Sequence, residues 1–382
     1  MKNRFAFVLG FALLFFVFAC KVQVITKDAD TPLTAYVGTY TRTEGHVDGK
    51  AEGVYRILLD EVNGTLSEKE VVAQVVNPSF VKLSADKNYL YVVSELAHSD
   101  ERTGFVHAFR INDGALTEIS KLPTDGKAPC HLEIDKSGDF LLASNYVGGV
   151  TKLYHIATDG SLSVADKFQV PADLVPGRSS HLHSAKISPD NRTVAIADLG
   201  LDRIWLFELD TEQGILVPRK QAFLPLVDKA GPRHSVWSAD GRFLYVINEL
   251  NATVDVIEKA ANEEMYKVTQ TVSTLPVGWT GKNSCADIHL HPSGQYLYGS
   301  NRGHNSIVVF AIDQSSGRLT AIEHKGTRGD FPRNFAVSPA GTMLWVANQN
   351  TSNVSAFKIS DKDGTLRFLW DYEVPTPVCL EF

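Results

Sequence analysis

Residues 231–250, GPRHSVWSADGRFLYVINEL, contain the pattern that decides the fold. The segment reads as a short strand, a turn rich in Ser, Asp and Gly, and a second strand of Leu, Tyr, Val and Ile. Five other segments repeat this pattern, and they begin at Asn77, Ala128, Ser180, Cys285 and Phe331. We take one residue of each repeat as the equivalent position, namely Glu95, Asn145, Asp198, Asn248, Asn301 and Asn348. Successive members of this set are 50, 53, 50, 53 and 47 residues apart. A period of about fifty residues with several strands in each repeat is typical of a β-propeller blade.

Each repeat continues with two further predicted strands. The third strand alternates apolar and polar residues, as in RIWLFELD at 203–210 and SIVVFAID at 306–313. A turn with the pattern Gly-x-Leu then precedes the fourth strand. The six Gly/Leu pairs are Gly64/Leu66, Gly114/Leu116, Gly160/Leu162, Gly214/Leu216, Gly317/Leu319 and Gly364/Leu366. The period-two patterning predicts a four-stranded antiparallel blade, and no stretch of helical periodicity competes with it.

The two ends of the chain supply a seventh blade. TPVCLEF at 376–382 matches the first strand of the repeat, and AYVGTYT at 35–41 matches the second. Joining both ends in one blade closes a ring without an open sheet edge. The sequence therefore predicts an all-β protein, a seven-bladed β-propeller of four-stranded antiparallel blades.

Residues 1–20, MKNRFAFVLGFALLFFVFAC, form a separate segment with a basic start and an apolar run. This is the build of an export signal, and it is too short to span a bilayer comfortably. A small residue followed by Cys20 resembles a bacterial lipoprotein signal, so we expect lipidation of Cys20, a tether at 21–33 and the propeller at 34–382. The alternatives are an ordinary signal with an incidental cysteine, or an uncleaved anchor. Lipidation predicts an exported protein of the periplasm or cell envelope that touches the membrane through the lipid anchor only.

The composition limits the classes of partner. The 382 residues carry a net charge of −7 and 44% of them are hydrophobic. We find no cluster of Lys and Arg of the kind that nucleic-acid binding requires, so no nucleic-acid partner is expected. Cys130, Cys285 and Cys379 lack the spacing of a metal knuckle and are predicted to be buried, with their disulfide state left open.

The candidate site residues lie where the first strands of the blades begin and the second strands end. These ends converge on one mouth of a propeller channel, which is where binding or catalysis is expected. Asn or Asp at the end of the second strand is explained as a turn former. Glu249 and Arg302 are charged where turn chemistry does not require a charge. His131, His289 and Arg333, near the starts of first strands, are predicted to bind substrate, although His131 alone could also be structural.

A metal or cofactor site is not predicted. His289 and His291 are spaced so that they could chelate zinc, but two side chains on one strand more often face a barrel wall. The sequence contains no GxSxG elbow, glycine-rich phosphate loop or HExxH helix. We therefore expect neither a metal nor a cofactor.

The repeats together resemble the seven-bladed propeller lactonase family. The likeness covers about 35–382 and includes YVGTYT, HLHS, GPRH, NEL, NRG and VPTPVCLEF. This family includes the propeller type of 6-phosphogluconolactonase and the fungal carboxy-muconate cyclase. Its proposed site contains a histidine, two arginines and a glutamate. By motif, the resemblance places these on His183, Arg233, Glu249 and Arg302.

The resemblance implies an enzyme that hydrolyses a sugar lactone as its small-molecule substrate. Either His183 or Glu249 would be the base that activates water, and Arg233 and Arg302 would bind a carboxylate or phosphate and stabilise the oxyanion. Export argues for a neutral or carboxylated lactone, since a sugar-phosphate lactone of central metabolism is cytoplasmic. The alternatives are a muconate-type lactonising cyclase and a non-catalytic envelope propeller that binds a glycan or protein.

Overall fold

The computed structural model describes residues 32–45, 47–97, 103–260 and 265–382. Within these ranges the regular structure is β-strand, arranged as seven four-stranded antiparallel sheets and one two-stranded hairpin. The prediction of an all-β, seven-bladed propeller is confirmed. In the described ranges there is also no helix that is long and apolar enough to cross a bilayer. The predicted signal, Cys20 and most of the tether lie outside the described residues.

Six blades follow one another along the chain, each with its strands in sequence order from the channel outwards. The strands of blades 1 to 3 are β6 (Val81–Leu83), β7 (Tyr89–Ser94), β8 (Phe105–Asn112), β9 (Ala115–Pro123), β10 (Lys127–Ile134), β11 (Phe140–Val147), β12 (Val150–Ile156), β13 (Leu162–Gln169), β14 (Leu182–Ile187), β15 (Thr193–Asp198), β16 (Arg203–Asp210) and β17 (Ile215–Pro225). The strands of blades 4 to 6 are β18 (Pro232–Trp237), β19 (Phe243–Asn248), β20 (Thr253–Lys259), β21 (Tyr266–Ser273), β22 (Ser284–Leu290), β23 (Tyr296–Arg302), β24 (Ser306–Ile312), β25 (Leu319–Gly326), β26 (Pro332–Val337), β27 (Met343–Asn348), β28 (Asn353–Ile359) and β29 (Leu366–Glu373).

Blade 7 is built from both ends of the chain, as predicted. From the channel outwards its strands are β30 (Pro377–Glu381), β1 (Leu33–Thr39), β4 (Val54–Leu59) and β5 (Leu66–Ala73). β30 pairs antiparallel with β1, with Tyr36 opposite Glu381 and Gly38 opposite Cys379. The connection from β1 to β4 carries the hairpin of β2 (Thr43–Glu44) and β3 (Val47–Asp48).

The turn between the first and second strands explains the Ser and Asp of the repeat. In blade 4, the Ser238 hydroxyl donates to Asp240 Oδ1 at 2.6 Å and accepts from the Phe243 N–H at 2.9 Å. The Arg242 N–H donates to the same carboxylate at 3.1 Å. These side chains satisfy backbone groups that a tight turn would otherwise expose, so the turn closes locally.

The core lies between neighbouring blades, where the Gly-x-Leu turns of one blade pack against the next. Leu319 and Leu366 are buried in such contacts. Gly364 has a φ of +71° and lies against the Tyr296 ring, so close that an added Cβ would be 2.5 Å from a ring carbon. The Tyr298 hydroxyl donates to the Gly364 carbonyl at 2.9 Å. The glycine is therefore required both by its backbone conformation and by the neighbouring blade.

The first strands of several blades carry a β-bulge close to one mouth of the channel. In β18, Pro232 pairs with Asn248 and His234 with Ile247, which leaves Arg233 as the extra residue. The same register shift recurs in other first strands, and the extra residues there are Cys130, His183 and Arg333. A bulge turns its extra side chain away from the regular pleat, and here it directs these side chains to one place.

Candidate active site

A cavity of about 400 Å³ occupies the mouth of the channel at the bulged ends of the first strands. The bulge residues form one part of its lining, namely Cys130, His183, Arg233 and Arg333. The other part comes from residues at the ends of second strands, namely Glu95, Tyr146, Glu249 and Arg302. Ala128 and Phe331 lie at its rim, with φ of +52° and +64° although neither is glycine and each precedes a proline. Asn77 and Thr376 share this positive φ before Pro78 and Pro377, so the conformation belongs to the repeat.

Glu249 is held between two arginines. Its Oε2 lies 3.1 Å from Arg233 Nε and 2.9 Å from Arg302 Nη2. Both guanidinium groups are buried, and backbone carbonyls fix them as well: Arg233 Nη1 donates to Ala286 O at 2.6 Å and Arg302 Nη2 to Cys285 O at 2.8 Å. Burial by itself would raise the pKa of Glu249, but the charges of Arg302 and Arg233 lower that pKa. The carboxylate therefore stays ionised at neutral pH.

His183 lies beside this cluster and is buried. Its ring makes edge contacts with Tyr146 and His234, at centroid distances of 5.7 and 5.1 Å. The Cys130 thiol donates to the His183 carbonyl at 3.4 Å. Burial and the charge of Arg233 place the pKa of His183 well below its usual value, so the imidazole is neutral at neutral pH.

The opposite wall carries a second carboxylate, Glu95. Its Oε2 accepts a hydrogen bond from the Tyr40 hydroxyl at 2.9 Å and a short one from the Ser79 hydroxyl. The guanidinium of Arg333 lies over the Tyr40 ring, 5.3 Å from its centroid. Three arginines and two glutamates line the cavity, which gives it a formal excess of one positive charge.

The residues predicted from the sequence separate into two groups. His183, Arg233, Glu249, Arg302 and Arg333 all line the cavity, although they come from five different strands or strand ends.

His131 and His289 are not among the lining residues and lie further along the channel. His131 packs on Phe80 at a centroid distance of 4.7 Å. His289 Nε2 lies 2.8 Å from Asp287 Oδ2, and Asp287 Oδ1 lies 2.7 Å from His234 Nδ1. The zinc-chelate spacing of His289 and His291 is not used, because His291 contacts Ser293 and the Gly341 carbonyl instead. Among the described residues, no group of three or more His, Cys, Asp or Glu is arranged to hold a metal ion.

Sequence reasoning missed Glu95 because the repeat was aligned one residue out in blade 1. Ser94, and not Glu95, pairs with the first residue of the third strand, as Asn248 does in blade 4. The Glu95 N–H donates to the Asn77 carbonyl just as the Glu249 N–H donates to the Gly231 carbonyl. Glu95 is thus the equivalent of Glu249, and SEL at 94–96 matches NEL at 248–250.

Fold and site together define a class: a seven-bladed propeller with a buried Arg-Glu-Arg cluster and a neutral histidine at one mouth of its channel. The chain belongs to the lactonase family of seven-bladed β-propellers, whose family model matches residues 34–382. The family resemblance predicted from the sequence is confirmed.

Similar proteins cover almost the whole chain. It is 32% identical to a 6-phosphogluconolactonase of Bacillus subtilis over 359 residues, which are 92% of this chain and 99% of the relative. It is 34% identical to a 6-phosphogluconolactonase of Formosa agariphila over 352 residues, which are 87% of this chain and 94% of the relative. Among solved structures, the periplasmic gluconolactonase of Pseudomonas aeruginosa matches with a TM-score of 0.85 and 31% identity, covering 92% of this chain and 99% of that one.

Proposed function

We propose that the chain is a lactonase that hydrolyses a sugar lactone in this cavity. The observation that carries the proposal is the buried Arg233-Glu249-Arg302 cluster, with Glu249 Oε2 3.1 and 2.9 Å from the two guanidinium groups. The names of the relatives, 6-phosphogluconolactonase and gluconolactonase, support the same reaction. The cavity of about 400 Å³ lies within the size range of pockets for small molecules.

The cationic groups have a direct role in lactone opening. Attack of water on the lactone carbonyl produces a tetrahedral oxyanion, and fixed positive charge in a partly dry site stabilises it. Arg233 and Arg302 supply that charge, and Glu249 holds them in place and offsets their mutual repulsion. His183, being neutral, can donate a hydrogen bond to the oxyanion or to a substrate hydroxyl. A single well-placed donor of this kind contributes about 10²–10³ to the rate.

Arg333 is proposed to bind an anionic substituent of the substrate. Its guanidinium faces the cavity, and within the described part of the chain it has no ion-pair partner. A carboxylate or a phosphate would neutralise the excess positive charge, and guanidinium groups bind either one bidentately. His131 and His289 are not given a role in binding because neither lines the cavity.

We further propose that the protein works outside the cytoplasm as a lipoprotein. Residues 1–20 would be its signal, Cys20 its acylated residue and 21–33 its tether. The similarity to the periplasmic gluconolactonase of Pseudomonas aeruginosa supports a location outside the cytoplasm. A neutral or carboxylated sugar lactone is then a more suitable substrate than the cytoplasmic phosphate ester.

The test is hydrolysis of a panel of lactones, including δ-gluconolactone with and without a 6-phosphate, by the full-length chain. Spontaneous opening is subtracted from each rate. Glu249→Gln and His183→Ala should each reduce kcat/KM by about 10²-fold, whereas Glu212→Gln, at an exposed turn, should leave it unchanged. Equal and slow rates for the parent and both cavity variants would overturn the proposal and favour a non-catalytic binding role. Faster ring closure than opening would favour the cyclase.

A further inference from the structure

Two carboxylates share the cavity, at equivalent positions of blades 1 and 4, and each is held by different side chains. Glu249 Oε2 is bound by two cations, Arg233 and Arg302. Glu95 Oε2 is bound by two neutral hydroxyl groups, those of Tyr40 and Ser79. The same residue type in two such environments is a recurrent way to divide roles between an electrostatic group and a proton-transfer group.

The arginines make Glu249 a poor proton acceptor. A carboxylate that touches two guanidinium groups is stabilised in its ionised form, so transferring a proton to it costs the loss of both ion pairs. Glu95, and not Glu249, borders a second and smaller space beside the main cavity.

A water-sized space adjoins Glu95. It measures about 10 Å³, lies next to the main cavity and is lined by polar groups that include Ser79, Glu95, Arg233 and Arg333. This volume is about the minimum that holds one water molecule, and a buried water needs two to four polar partners. The carboxylate can accept from such a water, while the two guanidinium groups can donate to it.

We propose that Glu95 is the general base of the hydrolysis and that it acts on a water held between its carboxylate and Arg333. This inference rests on the proposed lactonase function. The water oxygen forms a bond to the lactone carbonyl carbon, and Glu95 takes the proton that the water releases. The tetrahedral intermediate then breaks its bond to the ring oxygen, and Glu95 returns the proton to that oxygen. The product is the open hydroxy acid, which loses its own carboxyl proton to solvent.

Tyr40 and Ser79 are the positioning residues of this base. Both hydroxyl groups reach one oxygen of Glu95, which fixes the plane of its carboxylate. Tyr40 comes from the loop after β1 and Ser79 lies just before β6, so the base is aligned where blades 7 and 1 meet.

The first experiment compares Glu95→Gln and Glu95→Ala with the parent on the best substrate of the panel, using the full-length chain. Loss of a general base predicts a fall in kcat of about 10²-fold or more with KM within a few-fold. Added formate should raise the rate of Glu95→Ala at least tenfold, because a small carboxylate can occupy the space of the deleted side chain. Glu249→Ala is the matched control, and formate should not restore it because its deficit is the placement of two arginines.

The second readout is the separation of kcat from KM for the positioning residue Tyr40. Tyr40→Phe should lower kcat with KM within a few-fold, because Glu95 then loses a donor that fixes its carboxylate. Thermal unfolding of each variant verifies that the propeller is intact.

The outcomes separate the two claims. If the parent opens lactones and Glu95→Gln is as fast as the parent, Glu95 is not the base, although the lactonase function stands. A folded Glu95→Ala variant that formate does not restore would also overturn the inference. If the parent opens no lactone above the spontaneous rate, the proposed function fails and the role of Glu95 fails with it.

Discussion

At the residue scale, buried cations and buried neutral imidazoles lie side by side at the mouth of the channel. Burial and the charges of Arg302 and Arg333 lower the pKa of Arg233 to about 10, which still leaves it charged at neutral pH. Burial and the charge of Arg233 lower the pKa of His234 to about 4, in spite of its hydrogen bond to Asp287. The arginines thus help to keep the neighbouring imidazoles neutral. Because these imidazoles are neutral, they do not increase the positive charge around the arginines.

The neutral imidazole of His234 predicts a pH-dependent stability. Its pKa is near 6.5 in the unfolded chain and about 4 in the folded one, so the unfolded chain binds more protons between these values. The free energy of unfolding should therefore fall as the pH drops from about 6.5 to 4. His234 contributes at most about 1.4 kcal/mol per pH unit to this slope. Urea unfolding of His234→Gln at pH 7 and pH 5 should show a shallower dependence than the parent, and equal slopes would contradict the prediction.

The site residues show what a repeat alignment can and cannot find. Glu249 and Arg302 stood out because they are charges that a turn does not need, and both line the cavity. Glu95 is also a charge that a turn does not need. It was missed because the alignment, wrong by one residue in blade 1, placed it opposite Asn248, where a polar residue at a strand end is ordinary. His289 is a different case. Its side chain is paired with Asp287 on the same strand. The positions of the two polar residues in the sequence do not reveal that they contact each other.

At the element scale, the Gly-x-Leu turn links neighbouring blades through its glycine. Gly364→Ala should destabilise the protein in two ways, through the positive φ of +71° and through collision with the Tyr296 ring. Gly138→Ala is the matched control, since its φ is +83° but an added Cβ there would meet nothing within 4 Å. Strain alone costs about 1 kcal/mol, so Gly364→Ala should cost clearly more in urea unfolding. Equal costs would mean that the aromatic contact is unimportant.

The blades were predictable because strands, turns and Gly-x-Leu pairs recur at fixed offsets. The bulges were not, although they aim Cys130, His183, Arg233 and Arg333 at the cavity. Aligned repeats reveal an extra residue through a gap in the repeats that lack it. Here most first strands contain the extra residue, so their alignment needs no gap. Its presence is a matter of hydrogen-bond register, which only the paired strands display.

The strand β30 is predicted to hold the ring closed. Its residues Val378, Cys379 and Leu380 are buried, and the Leu380 N–H donates to Asn334 Oδ1 of blade 6 at 2.7 Å. Deleting residues 376–382 would expose one edge of β1 and remove contacts with both neighbouring blades, so the ring should unfold. Glu381→Gln, which removes only the ion pair with Lys82, should have a far smaller effect. An unchanged melting transition in the deletion would contradict this account of closure.

At the scale of the whole molecule, the charge is unevenly distributed. The chain carries a net charge of −7, yet its cavity has an excess of one positive charge. A cationic cavity in an acidic protein concentrates an anionic group at one place on an otherwise repulsive surface. This arrangement suits a small anionic lactone and disfavours large polyanions.

The proposed lipidation of Cys20 can be tested by labelling and by membrane association. Cys20→Ser should abolish incorporation of labelled palmitate and release the protein from membranes. Cys379→Ala, at a buried free thiol, is the control that should remain labelled. Labelling of the Cys20→Ser variant would contradict the anchor.

The most direct test of the central claim is the rate at which the full-length chain opens δ-gluconolactone above the spontaneous rate, measured for the parent, Arg302→Met and Arg192→Met. Arg302 touches Glu249 in the cavity, whereas Arg192 lies on the exposed surface. We expect a parent rate well above background, a fall of about 10²-fold or more for Arg302→Met, and no change for Arg192→Met. If Arg302→Met opens the lactone as fast as the parent, the cavity does not perform the chemistry.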